Sequence, residues 1–161
     1  MGIVYARIDD RLIHGQVATS WNAEVKPSRM MVIDDSASGN DIQKQALKMA
    51  TPSGVNLSVL SVEKAIANIK NGNYEQQKVM IVVRTPKPLA KLAEAGISLD
   101  VPGTVGTLKR NDENCIKITN YVVINQEDKK DFLYLAEKGL HFYAQPVPNT
   151  AKVDILNYLK D

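Results

Sequence analysis

Apolar residues along the chain fall into two alternating patterns, short runs rich in β-branched side chains and longer stretches with a helical period. The runs GIVYARI (2–8), RMMVID (29–34), VNLSVLS (55–61), KVMIVVR (78–84), CIKIT (115–119), YVVIN (121–125) and HFYAQPV (141–147) predict strands. Several are apolar at consecutive positions, which suits strands covered on both faces in a mostly parallel sheet. Residues 40–50 predict a helix with Ile42, Ala46, Leu47 and Ala50 on one face, a capping-box spacing at Ser38 and Asp41, and a stop at Thr51-Pro52. Ser61 is placed to cap a helix over 62–70 that turns Val62, Ala65, Ile66 and Ile69 inward and breaks at Asn71-Gly72. Residues 126–139 carry acids in their first turn and end in Lys138-Gly139, as the helix dipole and a left-handed stop prefer. A short helix over 154–160 closes the chain, and the conspicuous Gly/Pro loop is DVPGTVGT at 100–107. Alternation of this kind predicts an α/β fold: an open, mainly parallel, doubly wound sheet of about seven strands with helices on both faces.

Composition narrows the class without changing the fold. At 161 residues the chain has the size of a single domain over residues 1–161. Twenty basic against 18 acidic residues give a net charge of +2, too balanced for a nucleic-acid footprint. No apolar run approaches the roughly 20 residues that span a bilayer, and the N-terminus lacks the pattern of an export signal; the expectation is a cytoplasmic protein. One cysteine, Cys115, excludes an internal disulfide, and its alternating neighbours Ile116 and Ile118 predict a buried thiol. His14 and His141 have no metal-ligand spacing, so no metal is expected.

Candidate chemistry concentrates in RIDDRLIHGQV, residues 7–17, at the end of the first strand. Two arginines, two aspartates and a histidine occupy positions 7–14, and Gly15 comes next. Ligands of doubly wound sheets bind at the carboxyl ends of the strands, and this knot lies at such an end. With a helix starting near Gly15, and Val17, Ala18 and Trp21 on its inner face, His14 stands at a helix N-terminus whose free amides attract anions, phosphate above all. Gly15 leaves room for close approach, and Arg11 offers a planar fork to phosphate oxygens. Asp9 or Asp10 would fix the imidazole tautomer and free the other nitrogen as a nucleophile. Together these make a phosphohistidine site.

The same stretch, followed by Trp21, resembles the signature of the IIB components of the mannose/fructose/sorbose family of the bacterial phosphoenolpyruvate-dependent sugar phosphotransferase system. The resemblance continues through VIDD (32–35), KMATPSGV (48–55), SVEKAI (61–66), VVRTP (82–86), AEAGI (93–97), EKGL (137–140) and AQPVP (144–148), so it spans nearly the whole chain. It implies a phosphoryl carrier without nucleotide, metal or other cofactor. His14 would accept the group, through Nδ1, from a phosphohistidine on a IIA component. It would then pass the group to a sugar held by membrane IIC and IID components. Arg11 would steady the phosphoryl group, Asp9 or Asp10 would orient the ring, and Gly15, Gln16 and Val17 would supply backbone donors. Arg7 and Arg84 join them as candidate phosphoryl-binding cations. The family tendency implies a possible homodimer. One departure stands out: Thr104 occupies a position where the family usually has Asn.

Other residues carry structural expectations. Asp34 and Asp35 are read as caps, His141 as a structural histidine, Trp21 as core or interface, and Lys109 with Arg110 as a possible basic lip. The main rival function is a phospho-aspartate receiver-like signalling domain, since VIDDS ends a strand and Lys87-Pro88 lies in a later loop. A nucleotide-binding enzyme would need a Gly-rich loop that the first turn lacks. A purely structural interaction module would have no use for His14.

Overall fold

The alternating pattern folds into a seven-stranded sheet flanked by helices. The computed structural model describes residues 2–160. The main sheet holds β1 (Gly2–Ile8), β2 (Arg29–Ile33), β3 (Asn56–Leu60), β4 (Lys78–Val83), β5 (Gly103–Val105), β9 (Phe142–Ala144) and β10 (Val153–Asp154), in the spatial order β10-β9-β5-β1-β4-β2-β3. Every pairing in it is parallel except β9 with β10. The α/β class, the parallel sheet and the strand count agree with the sequence pattern.

Strand alternation divides the core in two. Met30 and Val32 of β2, with Met80 and Val82 of β4, face α1 (Gly15–Val25), α2 (Asp35–Ser38) and α3 (Asp41–Ala50), and pack on Trp21, Ala37 and Leu47. Met31 and Ile33, with Val79, Ile81 and Val83, face the other way, onto α4 (Val62–Lys70), α5 (Lys87–Glu94) and α6 (Gln126–Glu137) through Ala65, Leu89, Leu92, Phe132 and Leu135. Both faces of these strands are therefore apolar, which explains the consecutive apolar positions. The chain leaves β1 toward β2 and leaves β5 toward β9, in opposite directions across the sheet. The neighbours β1 and β5 thus form a topological switch point, whose crevice opens at their carboxyl ends.

Five expectations are corrected. The Gly/Pro loop at 100–107 contains β5, a central strand paired with β1 on one side and β9 on the other. Its composition reads as a loop because a Cβ on Gly103 would lie 2.8 Å from the Phe142 ring; only glycine lets β5 pack there. Residues 115–119 and 121–125 stay out of the main sheet: β7 (Ile116–Lys117) and β8 (Val122–Ile124) join β6 (Leu108–Lys109) in a small second sheet. The end of the chain pairs β10 with β9 and finishes in a 3₁₀ turn, Ile155–Tyr158, rather than an α-helix. Helix α3 is capped by Asn40, which accepts from the Gln43 amide, while Ser38 closes α2. Of its predicted inner face only Leu47 is buried; Ile42 is 83% exposed because α3 covers the sheet margin near the edge strand β3. Helix α5 has no counterpart among the elements the sequence pattern predicts. By contrast Ser61 caps α4 as expected, while α6 is closed by a capping box of Asn125 and Asp128 that the sequence pattern did not predict.

The close packing at β5 yields a stability prediction. Gly103→Ala should destabilise the fold by about 1–3 kcal/mol, because overpacking here forces Phe142 or the strand to shift. Urea unfolding measures it, and an unchanged midpoint would show that β5 tolerates a side chain.

Candidate functional site

The site is built on the turn that ends β1. The Asp9 amide donates to the Val83 carbonyl at 2.8 Å and the Asp10 amide to Thr107 O at 2.8 Å, so the first residues of the turn are pinned between β4 and the segment after β5. The Leu12 amide then returns to the Asp9 carbonyl at 2.9 Å, closing a tight turn. Leu12 is buried and holds φ at +59°, a left-handed conformation that costs a β-carbon-bearing residue on the order of 1–3 kcal/mol. Burial of Leu12 and Ile13 against Trp21 and Val82 offsets this and throws His14 outward. His14 is the extended N-cap of α1, and Gly15 follows with φ +43°, a value suited to glycine. No side chain caps α1 and no acid stands in its first turn, whereas Asn40, Ser61 and Asn125 cap α3, α4 and α6. The leading amides of α1, those of Gly15, Gln16 and Val17, thus form an uncapped positive end beside His14.

Asp9 is the hub. Its side chain is 1% exposed, yet three basic groups surround it. Oδ1 accepts from the Arg11 amide at 3.0 Å and lies 3.5 Å from Arg11 Nε. Oδ2 lies 3.3 Å from His14 Nε2 and 3.7 Å from Arg7 Nη2. Nε2 therefore faces the carboxylate and Nδ1 is directed away from it. Arg11 is 56% exposed, with Nη2 donating to Thr107 Oγ1 at 3.0 Å, so its fork lies at the surface beside the imidazole.

Arg7 plays another part than that expected of it. It is 3% exposed and faces the interior. Nη1 donates to Thr104 Oγ1 at 2.9 Å and to the Gln145 carbonyl at 3.0 Å, and Nη2 donates to the Pro146 carbonyl at 2.8 Å. The guanidinium also lies 4.5 Å from the centre of the Trp21 ring, whose Nε1 donates to the same Pro146 carbonyl. Burial pulls Arg7 down to about 10, with Asp9 opposing the shift, so it stays cationic at neutral pH. A Cβ on Gly106 would collide with Arg7 Nη2 and Asp9 Oδ2, so glycine lets the β5 turn close over the pair. Arg7 thus sits behind Asp9 and not on the open side of the site.

The other candidates separate by position. Asp10 does not face His14: its Oδ2 accepts from the Lys109 amide at 3.2 Å and anchors the small sheet. Arg84 reaches the same turn, donating to the Asp10 carbonyl at 2.6 Å, but also engages Asp34 and Gln43, so it braces the loop. Gln16 is exposed and Val17 half-buried at the start of α1. Asp34 caps α2, and Asp35 accepts from the Val62 amide, so the acidic pair of the receiver-like reading serves as caps. Arg110 is held by Asp128 through two bonds of 2.8 and 2.9 Å, which leaves Lys109 alone of the expected basic lip. Trp21 is core, and His141 pairs with Asp154 at 2.6 Å far along the sheet. Cys115 is a correction: it is half-buried in the turn before β7, with its thiol on the Asp112 carbonyl. Among the described residues no His/Cys/Asp/Glu group could hold a metal ion, and no helix is long and apolar enough to cross a membrane.

Sequence reasoning missed Gly106, Thr107, Gln145 and Pro146 as parts of the site. The available signal was Arg7 itself: a cation inside a strand covered on both faces must be buried and must find acceptors.

A family model described as the PTS system sorbose subfamily IIB component matches residues 3–161. The chain is similar to the PTS system fructose-specific EIIB component of Bacillus subtilis (strain 168), 30% identical over 161 residues that cover 100% of this chain and 98% of the relative. It is 31% identical over 159 residues to the PTS system mannose-specific EIIAB component of Escherichia coli (strain K12); that match covers 99% of this chain and 49% of the relative, so the chain spans about half the length of that protein. Among solved structures, the IIBSor domain of the sorbose permease from Klebsiella pneumoniae matches with a TM-score of 0.90 at 28% identity, covering 99% of this chain and 96% of that one. The N-acetylgalactosamine-specific IIB component 1 from Escherichia coli matches with a TM-score of 0.85 at 29% identity, covering 95% and 99%.

The buried ion pair generates a second stability prediction. Arg7→Met leaves the Asp9 carboxylate buried without its inner cation and should cost about 3–5 kcal/mol in urea unfolding. Arg11→Ala, at the exposed side of the same carboxylate, should cost under about 1 kcal/mol. Equal losses for the two would contradict this division of roles.

Proposed function

The chain belongs to the IIB components of the sorbose subfamily of the bacterial sugar phosphotransferase system, and from that membership we propose that it carries a phosphoryl group on His14. The donor is a phosphohistidine on a IIA component, and the acceptor is a sugar held by membrane IIC and IID components. The protein acts in the cytoplasm, docked in turn against each partner. The observation that carries this reading is His14 Nε2 at 3.3 Å from the buried Asp9 carboxylate, at the uncapped end of α1.

The chemistry follows from that geometry. Asp9 accepts a hydrogen bond from Nε2–H, which fixes the tautomer and leaves the lone pair on Nδ1 for attack. Nδ1 attacks phosphorus as the P–N bond to the donor imidazole breaks, so one phosphoramidate replaces another and no nucleotide is consumed. In the second transfer a sugar hydroxyl attacks phosphorus, the bond to Nδ1 breaks, and the hydroxyl proton leaves to the surroundings of the acceptor. Nε2 keeps its proton on Asp9 throughout. The Arg11 fork and the α1 amides stabilise charge on the transferring group, whose loose transition state needs positioning more than covalent help. Arg7 supports this from behind through Asp9, and Arg84 by holding the turn.

Incubation with phosphoenolpyruvate, enzyme I, HPr and a matching IIA should add one phosphoryl group at His14, stable to alkali and labile to acid. His14→Ala should abolish labelling. Arg11→Ala should slow transfer by on the order of 10²-fold, the loss typical of removing one charge-stabilising donor, without a matching loss of stability. Mass spectrometry that places the label elsewhere would overturn the reading, and a label labile to both acid and alkali would favour the phospho-aspartate alternative.

A further inference from the structure

Three neutral acceptors hold the Arg7 guanidinium: Thr104 Oγ1, the Gln145 carbonyl and the Pro146 carbonyl, at 2.8–3.0 Å. Against these, its approach to Asp9 Oδ2 is 3.7 Å, beyond hydrogen-bond length. His14 Nε2 lies closer to the same oxygen, at 3.3 Å. Oδ1 lies on the Arg11 side and accepts from the Arg11 amide, so His14 and Arg7 meet on Oδ2. Both approach one carboxylate oxygen, and a closer guanidinium would draw charge from Oδ2 and weaken its bond to His14 Nε2–H, so what restrains Arg7 sets how firmly the imidazole is held.

Two of the three restraints are backbone carbonyls of the segment after β9, held beside the sheet, and that of Pro146 also accepts from the Trp21 indole. The third is a side chain. Thr104 is buried on β5, opposite Arg7 in the register of β1 with β5. Its hydroxyl receives Arg7 Nη1, and Tyr5 Oη stands 3.2 Å away, within hydrogen-bond reach of the same oxygen. Burial pushes the Tyr5 phenol up, so Tyr5 stays a neutral donor across the physiological range. With Tyr5 donating, the Thr104 hydroxyl has Tyr5 and Arg7 as donors and no need of a further one.

We propose that Thr104 is a positioning residue for phosphoryl transfer: its hydroxyl holds the Arg7 guanidinium back from Asp9 Oδ2, reserving that oxygen for His14 Nε2–H and so keeping Nδ1 unprotonated. This rests on the reading of His14 as the phosphorylated residue. The position is also where this chain departs from the family's usual Asn. A hydroxyl and an amide oxygen both accept from a guanidinium, so either can act as the restraint, whereas an apolar side chain cannot. Without it, Nη1 keeps only the Gln145 carbonyl, and the planar guanidinium can pivot so that Nη2 closes on Asp9 Oδ2. A guanidinium that closes on Oδ2 weakens the bond to the imidazole and releases the ring to exchange tautomers.

The test compares Thr104→Val, which has the same shape without the hydroxyl, with Thr104→Ser, which keeps it. Long-range ¹H–¹⁵N correlation spectra of the unphosphorylated protein, recorded where the imidazole is neutral, report the His14 tautomer directly. Wild type and Thr104→Ser should show one tautomer, protonated at Nε2; Thr104→Val should show a mixture. Phosphorylation by phospho-IIA should be slowed on the order of tenfold to a hundredfold in Thr104→Val and restored in Thr104→Ser. An unchanged tautomer and rate in Thr104→Val would overturn the proposal, as would equal losses in both variants. Should Thr104→Val unfold, Thr104→Ala removes the same acceptor with less bulk, and an unchanged tautomer there would overturn it too. A tautomer that responds as expected while His14 takes no label would overturn the carrier reading and leave the positioning role standing.

Discussion

The arrangement depends on one buried carboxylate. Asp9 has 1% of its side chain exposed and no bulk water to stabilise its charge, so the protein must supply the stabilisation. It does so with Arg7 from within, Arg11 and its amide from without, and His14 from the side. Each of these fixes a piece of backbone in turn. Arg7 binds the β5 strand and the segment after β9, Arg11 reaches Thr107, and the Leu12 turn closes on the Asp9 carbonyl. Three chain segments distant in sequence meet because one anion needs partners. A buried ion pair contributes little net stability, because desolvation opposes the attraction, so its retention here is better understood as fixing geometry than as strengthening the fold.

The switch point of the sheet supplies the place. Because the chain leaves β1 and β5 in opposite directions, a crevice forms at their carboxyl ends. Gly106 lets the β5 turn pass over Arg7 and Asp9 without a side chain, and Gly15 lets α1 begin immediately beside His14. These glycines are required for different reasons, the first for space and the second for a backbone angle.

How far the sequence reveals this follows from the range of the interactions. Strands β1 to β4, helix α6 and the Ser61 cap of α4 are legible because their signals are local: consecutive apolar residues, first-turn acids, or a polar cap followed by a helical period. The charged knot is legible as a site because His14, Arg11 and Asp9 lie within six residues of one another. Strand β5 is not, since Gly103-Thr104-Val105 has no strand signature of its own and is made a strand by pairing on both edges. The choice between Asp9 and Asp10 is hidden for a related reason. Adjacent strand-end residues point to opposite sides, and only the fold shows which side holds His14 and which holds Lys109. The exposed Ile42 misleads in the other direction: a helical apolar stripe promises burial only where a sheet lies beneath all of it.

A carrier must bind its cargo well enough to take it and loosely enough to give it up, which limits how cationic the pocket can be. Arg7 and Arg11 bring two positive charges to a single Asp9, an excess that would trap a dianionic phosphoryl group if both faced it. The structure turns Arg7 inward onto carbonyls and the Trp21 ring, leaving Arg11 and the partial charge of the α1 terminus on the open side. Arg11 is half solvated, so water weakens its hold. On the carrier reading the inner arginine therefore sets the posture of the histidine, and the outer one handles the cargo. Exchange of the two roles would place a desolvated guanidinium against the phosphoryl group and convert a site of passage into a sink.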